Sequence, residues 1–146
     1  MVWSVFFGKK SKRWREASVN NLLSCLDAGD TEQASIYLAE DLVVADIGGA
    51  RIEGRDAFLK RDQAFRKVYS DLEVHIDLTT HNGDEVLLRG RVESRHEEIT
   101  GTAFWRFAFE NGVVNYIETM RQGNKLTLPK FRDLPASVSR PARLKG

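Results

Sequence analysis

The hydrophobic period of this chain changes once, near residue 70, from 3.6 to 2, and that change limits the folds open to it. Before the change, Val19, Leu22, Leu23 and Leu26 fall at i, i+3, i+4 and i+7, which predicts an amphipathic helix over 17–28. Gly29 sits where a helix C-cap favours positive φ, and Asp30, with Gln33 at the box position, can cap a second helix. That helix, over 31–39, would turn Ala34, Tyr37 and Leu38 to the core. A short β-like run at 42–47 is closed by Gly48 and Gly49, and 51–53 reads as a brief return strand. A third helix over 55–69 carries Phe58, Phe65 and Tyr69 on one stripe, with Arg61 and Asp62 on the same side.

After the change, Leu72, Val74, Ile76 and Leu78 alternate with Glu73, His75, Asp77 and Thr79. Asn82 and Gly83 supply a tight-hairpin dipeptide. The return strand over 85–96 places Val86, Leu88, Gly90, Val92, Ser94 and His96 on one face. A strand over 99–109, a turn at Glu110-Asn111-Gly112 and a strand over 113–120 complete a meander. Three helical segments followed by long hairpin-connected strands predict an α+β domain with a mostly antiparallel sheet.

The charge divides the chain into three parts. Residues 1–15 carry +5 with no acid, residues 121–146 carry +6, and the body between carries −10, leaving the whole at +1. The expected organisation is a basic, aromatic arm over 1–16, a domain over 17–120 and a basic, proline-containing tail over 121–146. An acidic body is a poor nucleic-acid surface. The arms could touch phosphate or anionic lipid, with Trp3, Phe6, Phe7 and Trp14 at the lipid interface, but solvated termini are the plainer reading. Cys25 is the sole cysteine, so no intrachain disulfide and no cysteine-based zinc site can form. No apolar run reaches the roughly 18 residues of a membrane span. The N-terminal segment, with its cations after the apolar stretch, makes a poor signal peptide, so a cytoplasmic protein is expected.

Leu26-Asp27-Ala28-Gly29-Asp30, Ala39-Glu40-Asp41, Ile52-Glu53-Gly54-Arg55-Asp56 and Arg106-Phe107 followed by Glu110-Asn111-Gly112-Val113-Val114, in that order, resemble the SnoaL-like, nuclear-transport-factor-2-like superfamily over residues 17–120. The resemblance implies a cone-shaped fold, a strongly curved, mostly antiparallel sheet covered by the three N-terminal helices, around a cavity for a hydrophobic small molecule, and dimers through the open sheet face. It embraces isomerases, cyclases, dehydratases and epoxide hydrolases, and also proteins without chemistry, so fold alone does not give function. Asp46 resembles the catalytic base of the ketosteroid isomerases. Their oxyanion donors correspond to Leu22 and Ala103, which cannot donate; such donors are typically worth roughly 3–4 kcal/mol each. Ordinary ketosteroid isomerisation is therefore not expected.

Three residues are candidates for proton transfer. Asp46 ends an apolar strand and is either a cavity base or the cap of the Gly48 and Gly49 turn. Asp62 shares the core-facing side of the third helix, either in the pocket or as an edge acid paired with Arg66 at i+4. His96 could orient or deprotonate a ligand if its strand face lines the cone. Tyr37, Phe58, Trp105, Phe107 and Ile117 are expected pocket walls by the resemblance, although most such aromatics are simply core. His75, His81 and His96 show no metal-ligand spacing, so neither a metal nor a cofactor is expected. Phe104 beside Arg106 on the other face suits an isologous homodimer interface. The chain thus reads as a proton-transferring enzyme, or as a non-catalytic binding or dimerisation module on the same scaffold.

Overall fold

A computed structural model describes residues 12–132 of the protein. Helix α1 spans Lys12–Ala28 and α2 spans Thr31–Ser35, followed by β1 (Leu38–Asp46), β2 (Arg51–Glu53) and α3 (Arg55–Val68). Then come β3 (Glu73–Asn82), β4 (Glu85–Glu93), β5 (Gly101–Glu110), β6 (Val113–Arg121) and a 3₁₀ turn at Leu128–Lys130. The α+β cone expected from the sequence is the fold observed. Trp3, Phe6, Phe7, most of the N-terminal arm and residues 133–146 lie outside the described residues.

The α1–α2 junction follows its capping chemistry. Gly29 adopts φ +74°, its N–H donates to Leu26 O (3.1 Å) and the Asp30 N–H donates to Cys25 O (2.9 Å), a Schellman closure. Asp30 then accepts from Gln33 N at 3.1 Å and starts α2. That helix is shorter than the expected 31–39. Leu38 is recruited into β1 opposite Val114, whose N–H donates to Tyr37 O at 2.9 Å. A three-residue apolar run such as Ile36-Tyr37-Leu38 fits either period, and strand pairing decides it.

The six strands lie in the order β2-β1-β6-β5-β4-β3, antiparallel except for the parallel β1·β6 pair. That parallel pair joins the first strand to the last and sets the helices against one face of the meander. Register shifts bend the sheet between Ile76 and Leu78, between Ala108 and Phe109, and along β1 between Leu38 and Val43. At the first of these bends the backbone of β3 closes on β4. A Cβ on Gly90 would stand 2.0 Å from the His75 carbonyl oxygen, so only glycine fits there. The Asn111 and Gly112 turn takes φ +54° and +83°, the type I′ geometry its dipeptide favours.

Two apolar clusters hold the layers together. Val19, Leu22 and Leu26 of α1 meet Phe58 and Leu59 of α3 over Val44, Val86, Leu88, Phe107 and Ile117 of the sheet. Phe65, Tyr69, Val92, Ile99, Ala103 and Phe131 form the second. Fully burying a side chain such as Leu22 contributes about 1.5–3 kcal/mol. Residues 122–132, where the sequence loses its hydrophobic pattern, do not leave the domain. Leu126 and Leu128 pack on the second cluster and Phe131 is buried within it, edge-on to Phe65 at 5.1 Å. No described helix is long and apolar enough to cross a membrane.

Candidate functional site

Strand alternation places Val86, Leu88, Gly90 and Val92 of β4 beside Phe107, Trp105, Ala103 and Gly101 of β5. The same rungs continue into β6, where Ile117, Thr119 and Arg121 pair with Phe107, Trp105 and Ala103. Helices α1 and α3 cross over this inner face and leave a cavity of about 660 Å³, a volume suited to a small organic ligand. Its walls include Leu22 and Leu26 of α1, Phe58 and Phe65 of α3, and Val44, Trp105, Phe107 and Ile117 of the sheet. The segment from Leu126 through Leu128 closes one side.

Of the residues singled out in the sequence, Phe58, Trp105, Phe107, Ile117 and Asp62 meet at this cavity. Tyr37 packs against the first apolar cluster, outside the cavity lining. His96 lies beyond the end of β4, its ring edge-on to Tyr69 at 5.1 Å, and is likewise outside the lining. The alternation that pointed it inward ends at Glu93, before Ser94 and His96 are reached.

Asp46 faces inward opposite Thr119, but its carboxylate is covered. Oδ1 accepts from Ala50 N at 2.9 Å and Oδ2 accepts from the Thr127 hydroxyl at 2.7 Å, with Lys130 Nζ at 4.0 Å. The side chain spans the turn over 46–50 and ties the segment after β6 to the end of β1. Asp46 does not line the cavity.

Asp62 is the buried acid on the cavity wall. Its residue exposure is 8 %, and Oδ2 accepts from Arg66 Nε at 2.8 Å, the expected i,i+4 pair. Burial pushes its carboxyl above the ordinary value of 3.8, while the Arg66 guanidinium pulls the other way. Arg66 also donates to exposed Asp27 at 3.3 Å, so one guanidinium bridges two carboxylates at the helix edge of the cavity.

Sequence patterning had not brought Thr119, Arg121 or Thr127 to the site. The signal for Arg121 was one further step of the β6 alternation that carries Ile117 and Thr119. Its Nε donates to Thr102 O (3.2 Å) and its Nη2 to Ile99 O (2.5 Å) and Gly101 O (3.5 Å). Desolvation by burial lowers its affinity for its proton. Elsewhere, Glu73, His75 and Glu93 bring potential metal-ligand atoms within 4.8 Å of one another, but Arg91 already holds Glu93. On the outer sheet face, Arg106 is engaged within its own chain by Glu85 (2.8 Å), Glu118 (3.1 Å) and the Tyr116 ring, and Phe104 on the same face is half-buried.

Comparison with known proteins agrees with this geometry. Residues 19–117 match the model of the SnoaL-like domain. A Sinorhizobium meliloti protein assigned to the polyketide cyclases is 29% identical, with a TM-score of 0.64 over 70% of this chain and 93% of that one. A Kribbella flavida protein assigned to the ketosteroid isomerases superposes with a TM-score of 0.67 at 16% identity, over 79% of this chain and 82% of that one. A de novo designed protein with a curved β-sheet reaches 0.65 at 20% identity, covering 77% and 88%. No curated protein matches the chain.

Proposed function

We propose that this chain, which belongs to the SnoaL-like domain family, binds a hydrophobic, carbonyl-bearing small molecule in the cone and moves a proton on it without a cofactor. The Asp62 carboxyl is the proton carrier. Its placement carries the reading: a buried acid on the wall of an apolar cavity, raised by desolvation toward the pH at which it can both take and return a proton. As carboxylate it accepts a proton from the carbon next to the carbonyl, and the C–H electron pair becomes the enolate. As the neutral acid it gives the proton back at a second position. Arg66, bonded to the same carboxyl, keeps the ionised form accessible. The Sinorhizobium relative supports a carbonyl-rich, hydrophobic substrate class.

A non-catalytic binder on the same scaffold is the competing reading. It is favoured by Leu22 and Ala103, both fully buried and apolar where the isomerases carry oxyanion donors. Exchange of the α-protons of 2-tetralone into D₂O, followed by proton NMR, separates the two. The enzyme reading expects protein-catalysed exchange that falls roughly 100-fold or more in Asp62→Asn. Exchange no faster than buffer, or unchanged in the variant, leaves the binder.

A further inference from the structure

The cavity holds two guanidinium groups, and they differ in how they are neutralised. Arg66 spends its charge on Asp62 and Asp27. Arg121 forms no ion pair among the described residues, and its hydrogen bonds all go to the backbone carbonyls of Ile99, Gly101 and Thr102. Those bonds use Nε and Nη2. The two Nη1 protons have no acceptor among the described residues, and Nη1 is not fully covered, so this nitrogen stays accessible. Beside it on β6, Thr119 lines the same cavity, and its hydroxyl has no hydrogen-bond partner among the described residues.

The neighbouring strands leave room for this arrangement. Ala103, next to Arg121 on β5, and Gly90, one strand further on β4, occupy the same rung, and both are small. Asp27, Asp62 and Glu73 line the same cavity but none pairs with Arg121, and a buried cation without a paired acid is costly unless a counter-charge arrives. Backbone carbonyls orient the guanidinium but do not cancel its charge. The two remaining Nη1 protons can still donate to an oxyanion.

We propose that Arg121 anchors an anionic group of the cavity's ligand, so that the cone takes hydrophobic acids, aromatic or aliphatic molecules ending in a carboxylate or similar oxyanion, in preference to neutral molecules of the same shape. The inference rests on the cone being a small-molecule site, and not on proton transfer by Asp62. Thr119, one rung along, adds a hydroxyl for the second oxygen.

A matched pair of probes tests it: 8-anilinonaphthalene-1-sulfonate, and N-phenyl-1-naphthylamine, which keeps the rings and lacks the sulfonate. Calorimetric titration should show the sulfonate bound roughly tenfold or more tightly by the wild-type protein, the size of one charge-assisted hydrogen-bonded contact. In Arg121→Gln the preference should vanish while the neutral probe binds as before. Because Arg121 also holds three carbonyls, a second measurement needs no variant. The guanidinium NMR signals of Arg121 in the wild-type protein should shift on addition of the sulfonate and stay put with the neutral probe. Equal affinity of the two probes, a preference that survives Arg121→Gln, or unmoved Arg121 signals during sulfonate binding each overturn the anchor and leave the cone reading standing. If neither probe binds, the cone reading falls and the anchor falls with it.

Discussion

Two aspartates lie almost equally deep in this protein, Asp46 at the end of β1 and Asp62 midway along α3, with exposures of 5 % and 8 %. Their surroundings separate them. Asp46 accepts from the Ala50 N–H and the Thr127 hydroxyl, with Lys130 Nζ at 4.0 Å, and joins the end of β1 to the segment that follows β6. Asp62 is met by one guanidinium and lines the cavity, where burial raises its carboxyl. Burial alone does not make an acid a proton carrier. A carboxylate saturated by donors away from the cavity is a structural clamp, whereas one with a free approach from a ligand site can work on a substrate.

The sharpest way to break this contrast is to exchange the consequences of the two substitutions. Asp62→Asn should lower α-proton exchange by roughly 10²–10⁴-fold, with stability within about 1 kcal/mol of wild type. Loss of fold without specific loss of turnover would make Asp62 another clamp. Asp46→Ala should do the opposite, leaving the Ala50 N–H and the Thr127 hydroxyl buried without an acceptor. A cost of roughly 2–4 kcal/mol in urea unfolding is expected, with exchange per folded molecule retained.

A smaller effect sharpens the account of the clamp. Thr127→Val removes only the longer-range bond and should cost about 1–2 kcal/mol. Combined with Asp46→Ala it should cost less than the sum of the two, because both changes delete the same contact. Full additivity in the double-mutant cycle would show that the 2.7 Å bond does not hold the segment after β6.

The smallest expected effect lies in pH dependence. Because the native Asp62 carboxyl sits above 3.8, the folded state retains its proton longer than the unfolded chain. Stability from this group is therefore greatest below 3.8 and declines as pH rises through the raised native value; Asp62→Asn should flatten that slope. Arg66→Gln removes an influence that lowers the carboxyl's pKa, so the rising limb of the exchange rate should move to higher pH. A limb that stays in place would mean that Arg66 does not set the basicity of Asp62.

Much of the fold was legible because it rests on local rules. The stripe of Val19, Leu22 and Leu26, the Gly29 and Asp30 junction and the turn at Asn111 and Gly112 each follow from short-range geometry. The inner face of β4 was legible through its alternation, and Asp62 through helical spacing. His96 was misplaced inward because an alternating pattern in sequence does not mark where a strand stops pairing. The segment over 122–132 looked like tail because its apolar residues, Leu126, Leu128 and Phe131, follow neither period, yet all three pack on the second cluster.

What the sequence determined by itself was the order of elements and the set of side chains able to reach an interior. Those depend on neighbours within a few residues, and so on backbone propensity and periodicity. The tertiary structure decided which acid became a clamp and which faced the cavity. That choice turned on Thr127, 81 residues from Asp46, and on the parallel pairing of β1 with β6. Each is a contact between distant segments, and the solvation of a buried charge depends on what surrounds it in space, which no local pattern encodes.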